Sequence, residues 1–259
     1  MTSLPFFQVD AFAEKPLTGN PAAVMPLDRW LDETIMQAIA AENNLAETAF
    51  TVPAEREDAD FDLRWFTPAV EVNLCGHATL AAAHILIHSD PVRFSTRSGI
   101  LTVSRRGDLL DLDMPSAPPE PAELPQVLQA LGVSGETFLS CAGNGNALVL
   151  LENEQAVRAV QPDFNALAKL PYLVSVTAPG EEHDVASRVF AAYHGVPEDP
   201  VTGSAHTSLV PFWAERLGRS EFTALQASRR TGLLYCRIEG GRVTLGGRCQ
   251  TVIAGQFQL

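Results

Sequence analysis

The chain has 259 residues, 46% of them apolar and 19% charged, with a formal charge of -13 at neutral pH. This is the make-up of a globular protein with a sizeable core, and the acidic balance argues against nucleic acid or anionic membrane as a partner. No apolar run approaches the roughly 20 residues that cross a bilayer, and the opening MTSLPFFQVDAF lacks the basic-then-apolar order of a signal peptide. Four scattered cysteines (Cys75, Cys141, Cys236, Cys249) without a CxxC pair fit reduced thiols in a cytoplasmic protein.

In chain order, FFQVDAFAEKPLTGNPAAVM (6–25) is apolar with a Gly-Asn turn at its centre. DETIMQAIAAE (32–42) has helical periodicity, with Ile35, Met36 and Ile39 on one side, and belongs outside a sheet. ENNLAETAFTV (42–52) follows, then the strand-like FDLRWF, then LCGHATLAAAH (74–84), which has no wet face between Thr79 and Ile87. A helix apolar all round belongs inside a core. GILTVS and DLLDLDM flank Arg-Gly-Asp, a hairpin pattern. DMPSAPPEPAELP (113–125), with five prolines, reads as an extended linker.

Beyond the linker the same signals recur in the same order. FLSCAGNGNALVLLEN (138–153) answers the first Gly-Asn segment, GSAHTSLVPFW from Gly203 answers GHATLAAAHIL from Gly76, and RTGLLYCRIEGGRVTLGG answers RSGILTVSRRGDLLDLDM. The chain therefore reads as an α+β fold duplicated in two domains, 1–115 and 116–259, whose terminal strands can be exchanged. Each is a curved, mostly antiparallel sheet around a central buried helix. Pro211 should kink the second helix or end its first segment, and Gly218 should stop it.

Two helix starts, at Gly76 and Gly203, offer unpaired N–H groups and the positive end of a dipole. If they face one cleft they make a cradle for a carboxylate or a developing enolate. Proton-moving candidates are His77 from the first motif, Asp199, Thr202 and Ser204 from EDPVTGSAHTS, and Glu47 from LAETAF. Glu47 sits in an apolar setting, of the kind in which a carboxyl becomes a useful acid–base at neutral pH. Asn20 can touch substrate or stabilise its turn.

FQVDAF, GNPAAV, ENNLAETAF, RWFTPAVEVNLCGHATLA and EDPVTGSAH resemble, in order and across nearly the whole chain, the PhzF-like isomerases of phenazine biosynthesis. The resemblance implies a diaminopimelate-epimerase-like fold, a homodimer and cofactor-independent isomerisation of a small unsaturated carboxylate. Residue by residue it makes Glu47 the proton shuttle, with His77 and Asp199 beside it in catalysis. Gly76, Gly203 and Ser204 would hold substrate oxygens, and Asn20 is placed with them. Three rivals stand beside this reading. A racemase or epimerase of an amino or imino acid would use Cys75, but DPVTGSA lacks the second cysteine. A metal site would use His84 and His88, which share the i, i+4 spacing on the helix of His77, but no HExxH pattern or third ligand follows, so no metal is expected. A non-catalytic protein could hold a small anion at the same helix starts.

Overall fold

The computed structural model describes residues 2–141 and 145–259. The Ala142-Gly143-Asn144 part of the second Gly-Asn segment lies outside the described residues. In chain order the elements are β1 (Ser3–Ala11), β2 (Asn20–Pro26), α1 (Glu33–Asn43), β3 (Glu47–Pro53), β4 (Phe61–Phe66), β5 (Glu71–Val72), α2 (Gly76–Leu86), β6 (Val92–Thr96), β7 (Gly99–Arg106) and β8 (Leu109–Pro115). They continue as β9 (Glu120–Pro121), α3 (Pro125–Leu131), β10 (Glu136–Ser140), β11 (Asn146–Leu150), α4 (Glu154–Ala159), α5 (Phe164–Leu167), β12 (Leu173–Pro179), β13 (Val185–Ala191) and β14 (Val196–Asp199). The chain ends with α6 (Gly203–Leu217), β15 (Glu221–Gln226), β16 (Gly232–Glu239), β17 (Arg242–Gly247) and β18 (Cys249–Gln258). Among the described residues no helix is long and apolar enough to cross a membrane.

Two compact units result, Met1–Asp113 with Gly246–Leu259, and Met114–Leu245. The division differs from a single cut after residue 115, because the last strand belongs to the first unit. There β18 lies antiparallel to β1 from Ser3↔Gln258 to Ala11↔Cys249, with one register shift at Gln8/Val9.

In the first unit the strands run β18-β1-β2-β3-β4-β6-β7-β8, with the short β5 also on β4. Only β2–β3 and β4–β6 are parallel. Parallel neighbours need a crossover, and α1 and α2 supply the two. The second unit repeats the scheme as β9-β10-β11-β12-β13-β15-β16, with β14 also on β13. Its parallel pairs are β11–β12, crossed by α4 and α5, and β13–β15, crossed by α6. The internal repeat is thus a repeat of topology.

The helices divide by composition. α1 is capped at Asp32, whose side chain accepts the Thr34 N–H, and it buries Met36, Ile39 and Ala40 against Met25, Phe50 and Phe66. Ile35 is only partly covered. α2 buries nearly every residue from Gly76 to Leu86, and the alanines at 81–83 let the sheet approach its backbone. It ends at Leu86 with Ile87 as cap, so His88 is outside it and the i, i+4 pair with His84 does not form on a helix. His84 instead contacts Thr251 Oγ1 at 3.0 Å.

Of the two expectations for Pro211, a kink or an end to the helix, α6 overturns the second. The helix runs unbroken from Gly203 to Leu217 with the proline inside, and ends at left-handed Gly218. Proline removes the N–H that would bond the carbonyl four residues back, Thr207. That carbonyl is taken by the Ala117 N–H at 3.0 Å, so no buried acceptor is orphaned.

Glycine at 247 is a packing requirement. A Cβ there would lie 2.4 Å from Phe12 Cδ1 and 3.2 Å from Leu80 Cδ2, while Phe12 is itself fully buried with φ 56. We expect Gly247→Ala to destabilise the chain by about 1–3 kcal/mol through overpacking, measured by urea unfolding. In the same assay Pro211→Ala should shift stability by less than about 1 kcal/mol. That is well short of the ~3 kcal/mol an uncompensated interior proline costs.

Candidate active site

The first unit gathers three of the sequence candidates in one place. α1 ends at Asn44, in the left-handed region at φ 48, and three residues later Glu47 opens β3. β3 lies parallel to β2 with Glu47 beside Ala22, so Glu47 stands next to the strand that Asn20 begins. The chain reaches Asn20 through Gly19, at φ 69, where a Cβ would strike the Ala11 carbonyl oxygen at 2.2 Å. A glycine is required at that turn. α2 packs on β1, β2 and β3, which brings His77, in its first turn, over both side chains.

His77 is buried, with 4% exposure. Its Nε2 is 3.0 Å from Glu47 Oε2, and the Glu47 side chain keeps 18% of its surface open. The two atoms stand at ion-pair distance without the alignment of a hydrogen bond, and neither has another hydrogen-bond partner. On the other side of the ring, Nδ1 is 3.2 Å from the Asn20 amide nitrogen and 3.6 Å from Cys75 Sγ. An amide can turn either its N–H or its carbonyl to that nitrogen, so Asn20 can serve neutral imidazole and imidazolium alike.

Burial works against a charged His77, but the Cys75 sulfur and the Glu47 carboxylate outweigh it and hold its pKa well above the ordinary histidine value. We assign the effect to the carboxylate. Burial pushes the Cys75 thiol up and the charge of Glu47 pushes it further, so the sulfur beside the ring is a thiol. Cys75 therefore does more than fill space, because it touches the imidazole, yet it is no activated nucleophile.

The start of α2 is left open by its own sequence. Cys75 occupies the cap position with no side-chain hydrogen bond to the first turn. α6 is alike in this respect, with Thr202 at the cap and no capping bond. By contrast the side chains of Asp32, Asn153 and Asp163 do cap α1, α4 and α5. Gly76 and Gly203 are thus first residues of helices whose N–H groups no cap satisfies, the condition for receiving an anion.

In the second unit, Thr202 Oγ1 is committed elsewhere, donating a short hydrogen bond to Asp199 Oδ2. Gln226, fully buried, fixes this turn. Its Oε1 accepts the Thr202 N–H at 2.9 Å and its Nε2 donates to the Asp199 carbonyl at 2.7 Å. His206 donates from Nδ1 to the Thr202 carbonyl at 2.8 Å, and burial pushes its pKa down to about 4, so it is a neutral structural imidazole. Ser204 is exposed at the helix start.

Topology explains why only one half carries the acid–base pair. Asn20 and Asn146 begin equivalent strands. Glu47 pairs with Ala22 and Ser175 with Leu148, each two residues beyond the asparagine. Ser175 therefore occupies the Glu47 position, as Ser204 occupies that of His77 after the glycine. Ser175 donates to Asn146 Oδ1 at 3.0 Å, and the Asn146 amide donates to the Ala205 carbonyl at 3.3 Å. Neither serine can act as a base at neutral pH unaided.

Asn20, read as touching substrate or stabilising its turn, is fully buried with its amide nitrogen 3.2 Å from His77 Nδ1. Sequence reasoning missed Gln226, which ends an unremarkable strand, EFTALQ, with no motif to mark it. Arg97 pairs with Glu71 at 2.8 Å, and Trp65 and Phe66 are core residues. Among the described residues Glu47, Cys75 and His77 form the cluster of potential metal-ligating groups, and His84 and His88 do not.

A family model described as phenazine biosynthesis-like protein matches residues 9–255. An uncharacterized isomerase of Pseudomonas aeruginosa is 50% identical over 263 residues, covering 99% of either chain. A human phenazine biosynthesis-like domain-containing protein is 38% identical, covering 97% of this chain and 98% of its own. A crystal structure of a PhzF-family phenazine biosynthesis protein from Enterococcus faecalis superposes with TM-score 0.93 at 42% identity over the whole of both chains. A hydroxyproline epimerase from Agrobacterium vitis shares the fold, with TM-score 0.66 at 12% identity over 98% of this chain and 92% of its own. The chain belongs to the PhzF-like family of phenazine biosynthesis-like isomerases.

Proposed function

We propose that the protein is a cofactor-independent isomerase that moves a proton between two carbons of a small unsaturated carboxylate, with Glu47 as the general acid–base. The observation that carries this reading is the Glu47–His77 pair, in which a partly open carboxylate lies 3.0 Å from a buried imidazole and is bound to nothing else by an aligned hydrogen bond. A carboxylate so placed keeps a lone pair that no aligned hydrogen bond occupies and that a substrate proton can meet.

In the mechanism Glu47 takes a proton from a carbon made acidic by conjugation with the carboxyl-bearing system. Negative charge that develops on the substrate oxygen is met by the uncapped N–H groups at the start of α2. Glu47 then returns the proton to a different carbon, and one base on one face is enough for both transfers. His77, held cationic by Glu47, supports the carboxylate while it waits and can donate to a basic substrate atom. In the second unit, Gln226 sets the turn that carries Asp199 and leads into Gly203 and Ser204.

A racemase built on Cys75 is the weaker reading, because burial and the neighbouring carboxylate both oppose a thiolate there.

The test is solvent-deuterium incorporation followed by NMR into a panel of unsaturated and amino-bearing carboxylates, including a dihydro-hydroxyanthranilate and both enantiomers of proline. Label should enter one compound at a new carbon, and Glu47→Gln should slow this by at least about 100-fold while substrate still binds. Exchange that survives in Glu47→Gln and stops on alkylation of Cys75 would refute the assignment. In the same variant, NMR titration should show the His77 pKa falling from its wild-type value, since the carboxylate that raises it is gone. Gln226→Leu should destabilise the chain by about 1–3 kcal/mol in urea unfolding, because the buried Thr202 N–H and Asp199 carbonyl lose their partner.

A further inference from the structure

We propose that Glu47, Cys75 and His77 also form a binding site for a thiophilic divalent cation of the zinc class. One potential ligand atom from each of the three residues lies within 4.8 Å of the others. Cys75 Sγ and His77 Nδ1 are 3.6 Å apart. A sulfur at ~2.3 Å and a nitrogen at ~2.05 Å from one tetrahedral zinc are separated by about 3.6 Å, so these two atoms already stand at the spacing the ion imposes.

The second observation is independent of that spacing. Glu47 Oε2 and His77 Nε2 are buried polar atoms that face each other at 3.0 Å without an aligned hydrogen bond. With the cation on Nδ1, the Nε2–H donates to Glu47, the carboxylate–histidine arrangement that orients ligating imidazoles, or Glu47 turns to become the third ligand. Three protein groups leave a coordination position for water or a substrate carboxylate, so the cation and the proton chemistry compete for one set of residues.

Binding is balanced by proton release. The Cys75 thiol loses its proton as the sulfur–metal bond forms, and an imidazolium at His77 gives up the Nδ1 proton to free that lone pair. Both protons go to solvent, and no oxidant or reductant is involved.

The test uses the full-length reduced protein, titrated without substrate with Co²⁺ and then Zn²⁺. One equivalent of Co²⁺ should produce thiolate-to-cobalt charge-transfer absorption, which Zn²⁺ displaces. Cys75→Ser, checked for native circular dichroism, should lack the band. Cys141→Ser, which removes an exposed thiol, should keep it. Glu47→Gln, which leaves both primary ligands in place, should weaken Co²⁺ affinity by at least about tenfold. Absence of the band in the wild type, or its persistence in Cys75→Ser, would overturn the proposal. Because nothing in this assay depends on turnover, its failure and failure of the isomerase reading are separately visible.

Discussion

A helix with no polar face has to be enclosed, and enclosing it decides where its polar end emerges. α2 is such a helix, buried along nearly its whole length. The sheet wraps its sides, so its polar groups emerge at its start, where Cys75 supplies no side-chain cap. The parallel β2–β3 pair then ends beside that start, bringing Asn20 and Glu47 to His77. The candidate site follows from one packing demand: a buried helix whose N-terminus meets the edge of two parallel strands.

Duplication gave each unit this frame, and divergence decided what it carries. The same positions hold Glu47 and His77 in one half and Ser175 and Ser204 in the other. In the second half the polar groups close on themselves, with Ser175 bonding Asn146 and Asn146 bonding the α6 backbone. In the first half the equivalent asparagine bonds a titratable ring instead. The buried polar network is a scaffold that both halves keep, and the acid–base pair is what one half added to it.

How much of this was legible in the sequence depends on how far each consequence reaches along the chain. FDLRWF and RVTLGG read as strands because alternation is local, and they are strands over those residues. GHATLAAAHIL read as a core helix for the same reason. That Pro211 does not end its helix was not legible, because its cost depends on Ala117, whose N–H takes the carbonyl that the proline abandons. His84 and His88 looked paired until Ile87 ended the helix between them. Gln226 gave no signal, since its role lies in two hydrogen bonds to a loop remote in sequence. Glu47 and His77 were legible as candidates, but their 3.0 Å approach is a product of the β2–β3 register.

The electrostatics of the pair also resolve an apparent conflict. A chain of formal charge -13 is a poor attractor of carboxylates at long range. Beyond about 10 Å such a field is largely screened by salt, so the site answers to its own surroundings. There the terms are an uncapped helix start, an imidazole held above its ordinary pKa, and a thiol held above its own. Burial raises the thiol first, and the charge of Glu47 adds to both shifts by favouring the proton on the ring and on the sulfur. A single carboxylate thus helps keep two neighbours protonated around itself. The proposed role of Glu47 as the single shuttling base rests on that arrangement, because neither protonated neighbour competes with it for a proton from carbon.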